Sequence, residues 1–111
     1  MRNNFGGFPG GNMPQLMRQA QKMQEKLTQA QEELDTREYE ASAGGGAVSC
    51  RVSGKRELLS LTIKPEVMDP DDVEMLQDLV MAAVNEALRL GEKTREDTMN
   101  AMTPAGMGGL F

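Results

Sequence analysis

The chain has no histidine, no tryptophan, one cysteine, one tyrosine and three phenylalanines in 111 residues. Without histidine it lacks the commonest general base and the commonest nitrogen ligand for a metal. A single cysteine, Cys50, excludes an intrachain disulfide, and no apolar run approaches the roughly 20 residues needed to cross a bilayer. No signal sequence is apparent, so the expectation is a cytoplasmic protein with no membrane partner. Phe5, Phe8 and Phe111 all lie near the ends, which leaves an aliphatic core fed by ten adaptable methionines. Positive charge is short as well. Twelve Lys and Arg stand against 17 Asp and Glu, a net charge of -5, so any hold on a phosphate backbone has to come from local clusters.

What is present is periodicity. From Pro14 to Leu34 there is no glycine and no β-branched residue except Thr28, and Leu16, Ala20, Met23, Leu27, Ala30 and Leu34 alternate at spacings of four and three. That is the seam of a long helix, at about 1.5 Å per residue some 30 Å of rod. A chain this short cannot readily cover such a rod alone, so the seam calls for a helix of the same chain, a second copy, or both. Residues 1–13, rich in Gly, Pro and Asn, are expected to form a disordered tail, as are 104–111, with a single domain over 14–103.

After Thr36 the period becomes two. Tyr39, Ala41 and Ala43 alternate with Glu38, Glu40 and Ser42; Val48, Cys50 and Val52 with Ser49, Arg51 and Ser53; Leu59, Leu61 and Ile63 with Ser60 and Thr62. Glycines separate the runs, so the pattern predicts a three-stranded antiparallel meander with one apolar face and two open edges, which a second copy can protect. Gly44–Gly46 lacks the Lys-Ser/Thr of a phosphate loop and reads as a hairpin turn. Asp69 as N-cap, Pro70 at the first helical position and Asp72 in the first turn predict a second helix. Its apolar stripe is Val73, Leu76, Val80, Ala83, Ala87 and Leu90, widened by Leu79, Val84 and Leu88, and it either kinks at Gly91 or continues to about Met102. The fold class is α+β, in the order α-β-β-β-α.

No catalytic constellation emerges. Cys50 falls at an inward strand position and reads as core, and the acids Glu66, Asp69, Asp71, Asp72, Glu74 and Asp78 lack calcium-loop spacing and suit capping. Neither a metal nor a cofactor is expected. The remaining signal is the arrangement of cations. Arg18, Lys22 and Lys26 recur at i, i+4 beside the first helix's seam; Arg89, Lys93 and Arg95 lie late in the second helix; Arg51, Lys55 and Arg56 surround a hairpin turn. In a homodimer, twofold symmetry doubles each ridge and can set paired strips against a duplex.

Taken in order, AGGGAVSCRVSGKRELLSLTI followed by DPDDVEMLQDLVMAAVNEAL resembles the YbaB/EbfC family of bacterial nucleoid-associated DNA-binding proteins over about residues 13–111. The resemblance rests on the Ala43-Gly44-Gly45-Gly46 turn, the Val52-x-Gly54 hairpin, Asp69-Pro70-x-Asp72 leading into Met75-Leu76-Gln77-Asp78-Leu79, and Asn85-Glu86-Ala87. It implies a homodimer with projecting, tweezer-like helices that binds duplex DNA in the nucleoid with at most modest sequence preference. The contacts would come from the helical arms, where this chain offers Arg18, Lys22, Lys26, Arg89, Lys93 and Arg95. The alternative is an adaptor for replication or recombination machinery with little DNA affinity of its own.

Overall fold

The structure, a computed structural model, describes residues 12–102. Its elements are helix α1 (Asn12–Thr36), strands β1 (Glu38–Ala43), β2 (Val48–Ser53) and β3 (Leu58–Ile63), a short 3-10 turn (Pro65–Val67) and helix α2 (Val73–Met102). The three strands form one antiparallel sheet in the order β1-β2-β3. The expected α-β-β-β-α order is therefore the observed one. The tail expectations for residues 1–11 and 104–111 lie outside the described residues, while Asn12 and Met13 belong to α1.

Alternation decides which face each strand turns inward. On β1, Tyr39, Ala41 and Ala43 are half-buried and their neighbours exposed; on β2, Val48, Cys50 and Val52 are buried. The core is these three β2 side chains against Ala83 and Ala87 of α2. Two alanines one helical turn apart let the helix backbone approach the sheet closely, and Leu76, Leu79, Val80, Val84 and Leu88 close over the sides.

Three local expectations are corrected. The helix cap is Asp72 rather than Asp69: the Asp72 carboxylate accepts from the Met75 N–H at 3.2 Å, and α2 starts at Val73. Asp69-Pro70-Asp71-Asp72 instead forms a turn, in which Asp72 N–H donates to Asp69 O at 3.0 Å and Asp71 N–H to Asp69 Oδ1 at 2.9 Å. Proline in second place and an aspartate in first satisfy that turn as well as they would a helix start. Val73, counted in the buried stripe, is the first residue of the helix and 50% exposed, outside the set of hydrophobics packed against the core. On β3 the alternation breaks, because a register shift leaves Leu58, not Leu59, opposite Val52, while Leu61 and Ile63 face Cys50 and Val48.

At Gly91 the helix does not stop; α2 runs unbroken to Met102. The glycine serves packing, since the Tyr39 ring lies against it. The Gly44–Gly46 turn has φ of 64°, 67° and 92°, three successive left-handed residues that only glycine adopts without strain.

Candidate nucleic-acid interface

The sequence from Asn12 to Gln24 contains Arg18 and Lys22 and no acid. It folds into the outer half of α1, and every residue from Met13 to Lys26 is exposed. Only toward the base does the seam find cover: Leu27 and Ala30 are half-buried and Leu34 is 2% exposed. The helix thus projects as an arm, and the molecule as a whole, arm included, measures 83 × 24 × 18 Å. Arg18, Lys22 and Lys26 form no ion pair or side-chain hydrogen bond with another described residue. Their i, i+4 spacing sets them in one row along the arm, and Gln15, Gln19 and Gln29 share that face by the same geometry.

The cations of α2 are differently placed. Arg89 donates two hydrogen bonds to Glu86, at 2.9 Å and 2.6 Å, a bidentate pair that holds the Glu86 carboxyl below its ordinary range and raises the guanidinium. Lys93 Nζ stands 3.7 Å from Asp97. Arg95 is half-buried and donates to Asp35 at 2.6 Å and to the Gly54 carbonyl at 3.2 Å. In the third cluster Arg51 pairs with Glu38 at 3.4 Å and Arg56 with Glu92, leaving Lys55 with no ion pair among the described residues. A paired cation presents a small net charge to a distant phosphate, so of the three cation clusters the row on α1 is the one in which no member faces a carboxylate among the described residues.

One cluster of acids lies at the opposite end from the outer half of α1. Leu79 packs at the Gly44 turn, whereas Gly91 meets Tyr39 and Arg95 meets Asp35 at the base of α1. So α2 runs from the far end of the sheet toward the arm, and Asp69, Asp71, Asp72, Glu74 and Asp78 all precede Leu79. The protein is acidic in total but carries a positive arm at one end and an acidic turn at the other. Cys50 is 3% exposed, and burial pushes its thiol up, against a smaller opposing effect of a backbone hydrogen bond with Ala41. No group of three or more His, Cys, Asp or Glu among the described residues is placed to hold a metal ion, and none of their helices is long and apolar enough to cross a membrane.

The model of the YbaB/EbfC DNA-binding family matches residues 10–107. The chain belongs to that family. YbaB/EbfC proteins are DNA-binding and are not an enzyme family, and among relatives of this member is a nucleoid-associated protein of Clostridium botulinum (strain Eklund 17B / Type B), 58% identical over 106 residues, covering 96% of this chain and 94% of the relative. A nucleoid-associated protein of Ruminiclostridium cellulolyticum is 53% identical over 109 residues, with 95% and 94% covered. The crystal structure of an uncharacterized protein from Helicobacter pylori shares the YbaB/EbfC member's fold with a TM-score of 0.66 at 24% identity, covering 86% of this chain and 97% of that one.

Proposed function

We propose that two copies of this chain associate and hold duplex DNA in the bacterial nucleoid, within the cytoplasm, through the rows Arg18, Lys22 and Lys26 on their paired α1 arms. Binding is to phosphates, so sequence specificity is low or modest, and no catalysis is involved. The observation that carries this reading is the exposed, unpaired cation row, in which Arg18 and Lys22 stand on a helix half that contains no acid and Lys26 follows just beyond it, after Glu25. Arg89 and Lys93, exposed but each facing a carboxylate, are secondary contacts that exchange one partner for another.

Association is supported by what α2 leaves uncovered. It contacts β1 and β2, yet Leu58 and Leu61, on the core face of β3, remain 48% and 40% exposed. Beside them Ile63, Leu76, Gln77, Val80 and Met81 line an open concavity of about 470 Å³ that contains no charged residue. Only six hydrophobic residues among those described are fully buried, a core small enough that burial against a second copy contributes a large share of stability. A twofold contact of this face with itself also protects the open edge of β3.

A salt titration of binding to a random-sequence duplex tests the proposal. Three neutralised phosphates per arm and two arms give a slope of log affinity against log salt of about -5. Replacing Arg18, Lys22 and Lys26 with Glu abolishes binding and leaves the assembly state unchanged. Unaltered affinity in that triple variant would remove α1 from the interface. The adaptor reading draws on the same arm, whose seam residues Leu16 and Met23 are 49% and 40% exposed. It predicts a wild-type protein that ignores duplex DNA at low salt.

A further inference from the structure

Of the three paired cations on α2, Arg95 is the half-buried one, and its partner lies at the root of the α1 arm. Arg95 reaches from α2 to Asp35, in the last turn of α1, at 2.6 Å, and with the same nitrogen to the Gly54 carbonyl of the β2–β3 hairpin at 3.2 Å. The hairpin in turn closes on the end of α1. Gly54 N–H donates to Arg37 O at 3.0 Å, and a Cβ on Gly54 would stand 1.7 Å from the Leu34 carbonyl oxygen, so only glycine permits this approach. Arg37 N–H donates back to Leu34 O at 3.3 Å, and Leu34 is buried beneath. Three elements distant in sequence therefore meet at a single point, and one guanidinium bonds to two of them from the third.

We infer that Arg95 is a positioning residue that sets the angle of the α1 arm against the sheet, and not a DNA contact. The inference rests on the DNA-binding reading above for its functional consequence, though the clamp can be read without DNA. The mechanical argument is one of leverage. From Leu34 to Met13 the helix extends about 30 Å with its outer part uncovered, so a rotation of about 10° at the base moves the tip by roughly 5 Å. A displacement of that size takes Arg18 and Lys22 out of register with phosphates that the partner's row still contacts. Arginine suits the position because the two N–H groups of one planar guanidinium nitrogen point in fixed directions, to a carboxylate and a carbonyl together, which a lysine ammonium does in no fixed geometry.

Asp35→Asn separates the two roles by sign. It removes an acid, so by charge alone it strengthens attraction for DNA; if Arg95 is a contact, freeing it strengthens binding further. A positioning role predicts the reverse: affinity for a random-sequence duplex falls about five-fold or more, while the salt slope keeps its parent value because no phosphate contact has been deleted. Hydrogen exchange of the Gly54 amide, measured in the full-length protein without DNA, reads the clamp independently. In Asp35→Asn and in Arg95→Ala it quickens by about ten-fold, with the Cys50 and Val52 amides of the central strand unchanged as the control for folding. Tighter or equal binding by Asp35→Asn, a slope reduced in Arg95→Ala, or an unaltered Gly54 amide overturns the inference. If the parent protein itself does not bind duplex DNA, the reading of function fails while the exchange result still stands or falls on its own.

Discussion

Tyr39 packs across Gly91, so that a Cβ added to the glycine would come within 3.2 Å of Cδ2 and 3.3 Å of Cε2 of the ring. The contact explains why a helix breaker sits in the middle of a 30-residue helix. Alanine at that site gains about 1 kcal/mol in helix propensity, and the ring opposes the gain. Gly91→Ala is accordingly expected to stabilise the protein by about 1 kcal/mol in a Tyr39→Ala background and by distinctly less in the parent. Urea unfolding of the four proteins measures this coupling, and additive effects would show that the ring yields freely.

The uncovered face of β3 and α2 makes a separate prediction. Leu61→Asp or Met81→Asp places a carboxylate where a second copy is proposed to pack, and the cost of burying it unpaired is several kcal/mol. Sedimentation analysis is expected to show a dimer for the parent and a monomer for either variant, with helical content largely kept. A parent protein that sediments as a monomer at micromolar concentration removes this face as an interface.

Cys50 is expected to be chemically silent. Its thiol is buried in the core and pushed up by that burial, so at pH 8 an aromatic disulfide reagent reacts about 100-fold more slowly with the folded protein than with the protein in urea. The sign for stability follows from a raised folded value. The contribution is intact below the unfolded thiol value of about 8.5 and declines as pH rises from there through the folded one. In Cys50→Ala this alkaline decline is absent.

Glu86 gives the opposite limb. Hydrogen bonds from Arg89 depress its folded value, so its contribution is present above the unfolded carboxyl value of about 4.3 and is lost as pH falls through the folded one. The stability difference between parent and Glu86→Gln is then full at pH 6 and vanishes in stronger acid. Because both side chains are exposed, the difference also shrinks as salt is raised.

Much of this was legible before any coordinates. Spacings of four and three marked α1, alternation marked β1 and β2, and i, i+4 spacing set Arg18, Lys22 and Lys26 in one row, because each of these is a property of a few consecutive residues. Asp69 misled because aspartate before proline suits a turn and a helix start equally, and Leu59 misled because a register shift depends on the partner strand. Nothing in the sequence distinguished Arg95 from Lys93. Its partner Asp35 is 60 residues away, and only the return of α2 along the base of α1 brings the two together.

By itself, then, the sequence determined the kind and order of the elements and the presence of a cation row that begins on an acid-free helix half, since helix and strand periods act over a single turn or a pair of residues. The tertiary structure decided which cations are neutralised by carboxylates and which remain available, and it decided that α2 covers two strands and leaves the third open. Those outcomes depend on how helices and sheet cross in space, through contacts between residues tens of positions apart whose energies no local pattern encodes.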